Sequence, residues 1–274
     1  SASLKQAKLR LIYEELFVFT FKINYLKFKN TINSSSLKRD IDCEQIKSFI
    51  DQLPFALTSD QTTAVEEIIN DFNSKKRMNR LILGDVGSGK TIVAFIALYA
   101  NYLNSYQAAM MAPTEILAKQ HYEAINNIFS NYNIKTALLI GSLTKKEKVK
   151  IKSDILNNKI DILIGTHAIL SEDLEFKNLG LVITDEQHRF GVNQRSCLQN
   201  KGQKPDVLYM SATPIPRTYA LSLYGDMDTS LIKTKPKGRK PVKTIVKKNA
   251  EIKDVLHQVL EQLKMGHQIY IVAP

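Results

Sequence analysis

The chain has 274 residues, of which 44% are hydrophobic and 24% charged, and its formal net charge is +11. This length can bury the core of one large domain or about two ordinary ones, which excludes peptides, disulfide-held miniproteins and fully disordered chains. The two cysteines, Cys43 and Cys197, lie far apart in the sequence, which argues against a zinc module and indicates a reducing compartment. The longest apolar run, Ile92 to Ala100, is too short to span a bilayer, so we expect a cytoplasmic protein.

The positive charge is concentrated in the two ends of the sequence. Residues 1–50 hold 9 basic and 5 acidic groups, residues 51–230 hold 19 of each, and residues 231–274 hold 10 and 3. The stretch from Lys233 to Lys248 contains eight basic residues, two prolines, one glycine and no acidic residue. Such a composition is typical of a solvated linker, which we place at residues 233–241.

The predicted elements begin with helices. Apolar residues recur at helical spacing in the first segment, at Leu9, Ile12, Leu16, Phe19, Ile23 and Leu26. Alternation over Phe17 to Tyr25 also fits a strand, and we favour the helix. A second helix is expected from Ile41 to Leu53, where Pro54 ends it. Residues 1–50 therefore form a predicted helical connector.

From residue 80 onward, short apolar runs alternate with helical stretches. Strands are predicted at Leu81–Leu83, Ala108–Met111, Thr136–Ile140, Ile160–Ile164, Leu181–Thr184 and Val207–Met210. Helices are predicted between them, at Thr91–Tyr102, Ile116–Phe129 and Lys145–Leu156. Strands that are apolar on both faces and separated by helices form a parallel sheet covered on each side, so we expect an α/β domain over residues 51–232. Ligands of such sheets bind at the carboxyl ends of the strands.

A further unit is predicted to begin after the linker. Val242–Val246, Glu251–Lys264 and Gln268–Val272 have the patterns of a strand, a helix and a strand. Residues 242–274 would thus start another α/β domain without completing it.

A phosphate-binding loop is predicted between the first strand and the helix that follows it. The residues that fit GxxxxGK[ST] are Gly84, Asp85, Val86, Gly87, Ser88, Gly89, Lys90 and Thr91. In this pattern backbone N–H groups surround the phosphates, the lysine reaches the β- and γ-phosphates, and the hydroxyl group ligates Mg²⁺. A glycine-rich turn without a ligand is the structural alternative.

Two carboxylates follow the predicted strand Leu181–Thr184. Asp185 would hold Mg²⁺ directly or through water, and Glu186 would orient and deprotonate an attacking water, as hydrolysis requires. Two acidic residues at a helix N-terminus are the structural alternative. His188 and Arg189 lie just beyond the pair, where they would either sense the γ-phosphate or form surface ion pairs.

Two other stretches carry weaker signals. Thr58 and Gln61 have the spacing of a capping box ahead of an apolar helical run. The Gln61 amide can also donate to and accept from an adenine edge, with Phe55 supplying apolar surface, and on the residues alone we favour the cap. Ser211–Thr213 follows the predicted strand Val207–Met210, and its small hydroxyl side chains suit a bridge between two sites.

Taken together, these stretches resemble the superfamily 2 DNA helicases, and within them the RecG-like branch-migrating helicases of bacteria. The resemblance covers about residues 50 to 274 and rests on residues 84–91, 113–121, 165–168, 185–192 and 210–218. The bacterial transcription-repair coupling factors share Pro-Ile-Pro-Arg-Thr, whereas His188 and residues 224–228 and 238–242 favour the RecG-like group. The resemblance implies a RecA-like P-loop NTPase lobe with ATP and Mg²⁺ as cofactors and branched or forked DNA as the partner.

The resemblance also implies roles for individual residues. Gln61 would read adenine as well as cap a helix. The nucleic-acid side of the lobe would be lined by Thr114, Glu115, Gly141, Ser142, Thr166 and His167. Contacts there should go mostly to phosphates and sugars, because a translocating motor must tolerate any sequence. Coupling of the nucleotide to DNA grip would fall to Ser211, Ala212 and Thr213, with Arg217 as a further participant.

RecG-like helicases have parts that this sequence does not contain. They carry an N-terminal wedge domain and a complete second RecA-like lobe whose arginines complete the ATP site. The sequence starts without Met and stops within an apolar run, so we expect a piece of a longer protein with little activity alone. Three alternatives stay open: a coupling-factor-like translocase, a DNA-binding module switched by nucleotide without turnover, and a P-loop metabolite kinase.

Overall fold

The computed structural model describes residues 2–32, 37, 39–171, 173–186, 205–212, 227–236, 244–248 and 252–272. The chain divides into two compact units, Ser1–Pro236 and Lys237–Pro274. The predicted boundaries at residues 50, 232 and 241 stay a prediction.

The first helix, α1 (Ala2–Ile32), follows the helical rather than the alternating pattern of its apolar residues. Tyr13, Phe17 and Phe21 stack along one side of it, with ring centroids 6.2 and 6.4 Å apart. Pairs at this four-residue spacing face each other on a helix and stabilise it by about 0.2–0.5 kcal/mol each. The helix prediction is confirmed for this segment.

The first unit is built on a seven-stranded parallel sheet. Its strands are β1 (Asn79–Gly84), β2 (Gln107–Met111), β3 (Thr136–Leu139), β4 (Ile162–Gly165), β5 (Leu179–Thr184), β6 (Asp206–Ser211) and β7 (Asp228–Ile232). They lie in the order β3-β4-β2-β5-β6-β1-β7, and every neighbouring pair is parallel. The α/β prediction is confirmed, with six strands at the predicted places.

Strand β7 was not predicted because it lacks an apolar run. It is an edge strand in which only Ser230 and Ile232 are buried, so its sequence does not have to be apolar on both faces.

Helices cover both faces of the sheet. They are α2 (Cys43–Asp51), α3 (Ser59–Phe72), α4 (Lys90–Leu103), α5 (Glu115–Ile128), α6 (Lys145–Leu156) and a short 3-10 helix (His167–Leu170). Along β2, Ala108 and Met110 join the core formed with α2 to α5, whereas Ala109 and Met111 join the core formed with α6 and the 3-10 helix. Alternate side chains of one strand thus serve opposite faces, which explains the continuous apolar runs of the strands.

The segment before α2 is anchored in the same unit by one buried arginine. The Arg39 side chain is fully buried and forms an ion pair with Asp206, the first residue of β6. It also donates to Asn101 Oδ1 (2.9 Å) and to the Gly180 carbonyl (2.8 Å). Its guanidinium lies 4.2 Å from the centre of the Phe72 ring. A buried charge requires such partners, so Arg39 joins the N-terminal segment to two strands and two helices of the sheet unit.

The second unit contains one described helix, α7 (Ile252–Lys264), which confirms the predicted helix. The two predicted strands beside it are wrong where they can be compared, because residues 244–248 and 267–272 are irregular. A strand needs a neighbour to pair its backbone N–H and C=O groups, and the described residues of this unit include none. No described helix is both long and apolar enough to cross a membrane.

Candidate functional site

The predicted motifs of the first unit gather at one edge of its sheet. Residues 84–91 follow β1, residues 114–115 follow β2, residues 141–142 follow β3, residues 166–167 follow β4, residues 185–186 follow β5 and residues 211–212 end or follow β6. Because all seven strands are parallel, their carboxyl ends share this edge. Stretches up to 128 residues apart in sequence are therefore parts of one surface.

The phosphate-binding loop has the backbone that its glycines predict. Gly87 and Gly89 have φ of 73° and 83°, in the left-handed region that side chains disfavour. Gly89 is the N-cap of α4, and no side chain caps the first amides of this helix. Uncapped N–H groups at a helix start favour an anion, so the loop fits a phosphate group.

Lys90 lies at the bottom of this loop and is 9% exposed. Its Nζ donates to the carbonyls of Gly84 (2.7 Å) and Asp85 (3.1 Å). Burial lowers the pKa of Lys90, while the nearby carboxylates of Glu186 and Asp185 oppose that shift. The structure thus places the lysine of one motif within electrostatic reach of both acids of the other.

Gln61 forms the predicted capping box and also holds the loop. Its Oε1 accepts from Thr58 N (2.8 Å), and its own N–H donates to the Thr58 hydroxyl (3.3 Å). Its Nε2 donates to the Ser88 carbonyl (2.8 Å), and a Cβ atom at Gly89 would collide with that Nε2. The cap is confirmed, and α3 is bonded directly to the phosphate-binding loop. Adenine recognition by Gln61 and by Phe55, which is 49% exposed, stays a prediction.

The two carboxylates after β5 have a constrained backbone. Asp185 N donates to the Met111 carbonyl (2.9 Å), which keeps the residue level with the end of β2. Asp185 Oδ1 accepts from Glu186 N (3.0 Å). Glu186 has φ of 51°, a conformation that costs a residue with a side chain about 1–3 kcal/mol and is concentrated at functional sites.

His121 is a site residue that the sequence analysis missed. Its Nε2 lies 2.9 Å from Asp185 Oδ2, and the side chain is buried in α5 with 8% exposure. A signal was available, because His121 interrupts the apolar stripe formed by Ala118 and Ile125 on the buried face of this helix. A polar group in that position needs a partner.

The predicted nucleic-acid residues are only partly brought together. Thr114 caps α5 by accepting from Leu117 N (3.3 Å). The Glu115 carboxylate accepts from Ser142 N (3.0 Å) and from the Ser142 hydroxyl (2.8 Å), which also lowers the Glu115 pKa. A Cβ atom at Gly141 would lie 2.9 Å from Glu115 Oε1, so these three residues form one cluster. A separate pair follows β4, where Thr166 is buried and His167 is exposed.

The start of the basic linker also lies at this edge, which was not predicted. Asp60 Oδ2 accepts from Lys233 N (2.8 Å), Thr234 N (2.7 Å) and the Thr234 hydroxyl (2.9 Å). These hydrogen bonds lower the Asp60 pKa. Lys235 forms an ion pair with Asp85 of the phosphate-binding loop (3.0 Å), so part of the linker charge has a partner within the unit.

The remaining predicted residues have simpler positions. Ser211 is buried at the end of β6 and Ala212 is half-buried. His188, Thr213 and Arg217 lie outside the described residues. Within the described parts of the chain, no three His, Cys, Asp or Glu groups are placed to hold a metal ion together.

The parallel sheet and the phosphate-binding loop are typical of a P-loop nucleotide-binding lobe, and the chain belongs to the DEAD/DEAH box helicase family. The model of this family matches residues 58–221. Among its relatives, the chain is 47% identical over 272 residues to the ATP-dependent DNA helicase RecG of Staphylococcus epidermidis and 46% identical to that of Bacillus subtilis. In both comparisons the matched region covers 99% of this chain and 40% of the relative's length.

Solved structures give the same relationship. A RecG structure bound to a three-way DNA junction matches 99% of the chain and 36% of that protein, with a TM-score of 0.86 and 47% identity. The helicase MrfA bound to DNA and AMPPNP covers 85% of the chain with a TM-score of 0.60 at 19% identity, which shows a common fold alone. The resemblance stated from the motifs is confirmed.

Proposed function

We propose that this chain is the ATP-binding lobe of a RecG-like DNA helicase that acts on branched DNA, in fork regression and branch migration during recombination and repair. One observation carries the proposal: Lys90 begins the helix after β1, and Asp185 and Glu186 follow β5, so all three residues lie at the carboxyl edge of one parallel sheet. The chain spans about two fifths of its RecG relatives, so the activity belongs to a protein of their length that contains it.

The chain's own residues have distinct tasks in this proposal. Lys90 and the first amides of α4 bind the β- and γ-phosphates, and the lysine exchanges its bonds to the loop carbonyls for phosphate oxygens. Thr91 and Asp185 would hold Mg²⁺, which would neutralise charge at the phosphoryl group. Glu186 orients the attacking water and accepts its proton.

The DNA side of the lobe is proposed at the neighbouring strand ends. It would be formed by Thr114, the cluster of Glu115, Gly141 and Ser142, and the pair after β4. In the cluster, the Ser142 N–H and hydroxyl would exchange their bonds to the Glu115 carboxylate for oxygens of the sugar-phosphate chain. The predicted roles of Ser211–Thr213 in coupling stay part of the proposal. A wedge domain and a second RecA-like lobe of the same polypeptide are its proposed partners.

Without arginines from a second lobe, the 274-residue chain alone should turn over ATP very slowly. Loss of such an arginine lowers hydrolysis by about 10³- to 10⁵-fold in other phosphoryl-transfer systems. We therefore expect weak nucleotide binding and no DNA stimulation from the isolated chain.

The experiment compares variants of the full-length protein in ATP binding and in hydrolysis with and without three-way-junction DNA. Lys90→Ala should lose both binding and turnover. Glu186→Gln should bind ATP and hydrolyse it about 10²- to 10⁴-fold more slowly, because it loses only the general base. Lys177→Ala and Glu175→Gln are matched controls, since both residues are exposed and precede β5, at the edge of the sheet opposite the site. Full turnover by Lys90→Ala would overturn the proposal.

The same experiment separates the alternatives. A module switched by nucleotide without turnover would bind ATP equally in the parent and in Glu186→Gln, with no hydrolysis in either. A metabolite kinase would show no stimulation by DNA. The identity of 47% to RecG over nearly the whole chain favours the RecG-like assignment over a coupling-factor-like translocase.

A further inference from the structure

The buried histidine of α5 occupies a position that packing alone would give to an apolar residue. His121 follows Ala118 by three residues and precedes Ile125 by four, and both of these are fully buried against the sheet. An imidazole in such a stripe must keep its polar atoms satisfied. Its Nε2 lies within hydrogen-bonding distance of Asp185, which is 64 residues away in sequence.

The direction of that hydrogen bond is fixed by chemistry. An ionised carboxylate can only accept, so His121 Nε2–H donates to Asp185 Oδ2 (2.9 Å). Asp185 Oδ1 already accepts from the N–H of Glu186 (3.0 Å). The carboxylate is therefore held at both oxygens, by its own turn at one and by α5 at the other. Each oxygen keeps a second lone pair for a ligand.

The two contacts to Asp185 differ in what they fix. The hydrogen bond from Glu186 N–H joins neighbouring residues, so it does not fix the Asp185 carboxylate relative to the rest of the fold. His121, by contrast, belongs to α5, which packs on the sheet. Strand β2, which leads into α5, lies next to β5, which ends just before Asp185. The imidazole thus sets the carboxylate relative to the sheet, which also carries the phosphate-binding loop.

We propose that His121 is a positioning residue for the nucleotide site: its imidazole holds the Asp185 carboxylate in the orientation that receives Mg²⁺ bound to the triphosphate. The inference rests on the proposed function, because it needs Asp185 to face a metal-nucleotide complex. When a group that hydrogen-bonds to a metal-binding side chain is removed, metal affinity typically falls by about 10- to 100-fold.

The test measures equilibrium binding of a fluorescent ATP analogue to the full-length protein, titrated with and without Mg²⁺. His121→Leu fills a similar volume without a donor and should weaken the Mg²⁺-dependent part of binding by about 10- to 100-fold. Binding without Mg²⁺ should stay within about twofold of the parent. His121→Gln keeps an N–H donor and should recover most of the Mg²⁺ effect. Ile125→Val is the packing control, because it trims the same buried stripe of α5.

Each outcome supports or overturns the inference. An unchanged Mg²⁺ dependence in His121→Leu, beside a lost dependence in Asp185→Asn, would reduce His121 to a packing residue. An equal loss in His121→Leu and His121→Gln, or an equal loss with and without Mg²⁺, would do the same. If Lys90→Ala and Asp185→Asn both bound the magnesium nucleotide like the parent, the proposed function itself would fail, which is a different result.

Discussion

The buried ion pair between Arg39 and Asp206 offers a sharp test of how the N-terminal segment is attached to the lobe. The two side chains are 0% and 2% exposed, so replacing Arg39 with Met leaves the Asp206 carboxylate buried without its ion-pair partner. Breaking such a pair from one side costs about 3–5 kcal/mol, because the buried carboxylate then keeps only the Met78 N–H and the charge of Arg77 as compensation. Domains of this size lose about 2–4 °C of melting temperature per kcal/mol, so the shift should fall between about 6 and 20 °C.

The pH dependence of this variant follows from the same burial. Burial raises the pKa of Asp206, and Arg39 and the Met78 N–H (2.6 Å) oppose the rise. Removing the arginine leaves burial dominant, so the folded form keeps its proton at a pH where the unfolded chain has released it. A folded state that binds more protons than the unfolded state loses stability as pH rises. Arg39→Met should therefore lower the free energy of unfolding more at pH 8 than at pH 5.

Urea and thermal unfolding of the 274-residue chain measure this effect, with Arg39→Met/Asp206→Asn as the matched control. The asparagine still accepts from Met78 N–H but carries no charge, so the double variant should recover about half of the loss or more. A single variant less than about 1 kcal/mol below the parent would refute the reasoning. So would a double variant no more stable than the single one.

Two further predictions concern the nucleotide edge. Gly89→Ala should abolish nucleotide binding in an analogue titration and lower stability by about 1–2 kcal/mol, because a Cβ atom meets Gln61 and φ is 83°; binding equal to the parent would contradict this. Asp60→Asn should make the free energy of unfolding depend less on pH in the acid range, since hydrogen bonds from Thr234 and Lys233 lower the Asp60 pKa. A carboxylate whose pKa is lowered by folding stabilises the folded state at any pH above the pKa it has in the unfolded chain. That stabilisation is lost as the pH falls toward the lowered pKa of the folded state. Urea midpoints from pH 3 to 7 check it, and parallel curves would contradict it.

Local patterns in the sequence predicted the elements and the chemistry of the edge well. Short apolar runs gave six strands, and the glycine pattern gave a loop whose φ values at Gly87 and Gly89 have the expected sign. The Thr58–Gln61 box formed as its spacing requires. These features depend on residues within a few positions of each other, so the sequence specifies them directly. The polar edge strand β7 had no such pattern and was missed.

Contacts between distant residues could not be predicted in this way. The partner of Arg39 lies 167 residues away, and the partner of His121 lies 64 residues away. Gln61 was expected to cap its own helix, and the structure adds its bond to the Ser88 carbonyl. The predicted strands at residues 242–246 and 268–272 failed for the same reason where they can be compared, because a strand depends on a neighbour that the local pattern does not identify.

The sequence by itself determined that phosphate-binding glycines and a lysine follow one strand of a parallel sheet and that two acids follow another, since each pattern is local. Only the tertiary structure decided which strand ends are neighbours. The order β3-β4-β2-β5-β6-β1-β7 places β2 beside β5, and α5, which follows β2, carries His121 to Asp185. Strand order is set by long-range packing of both sheet faces, so no spacing of residues along the chain reveals that pair.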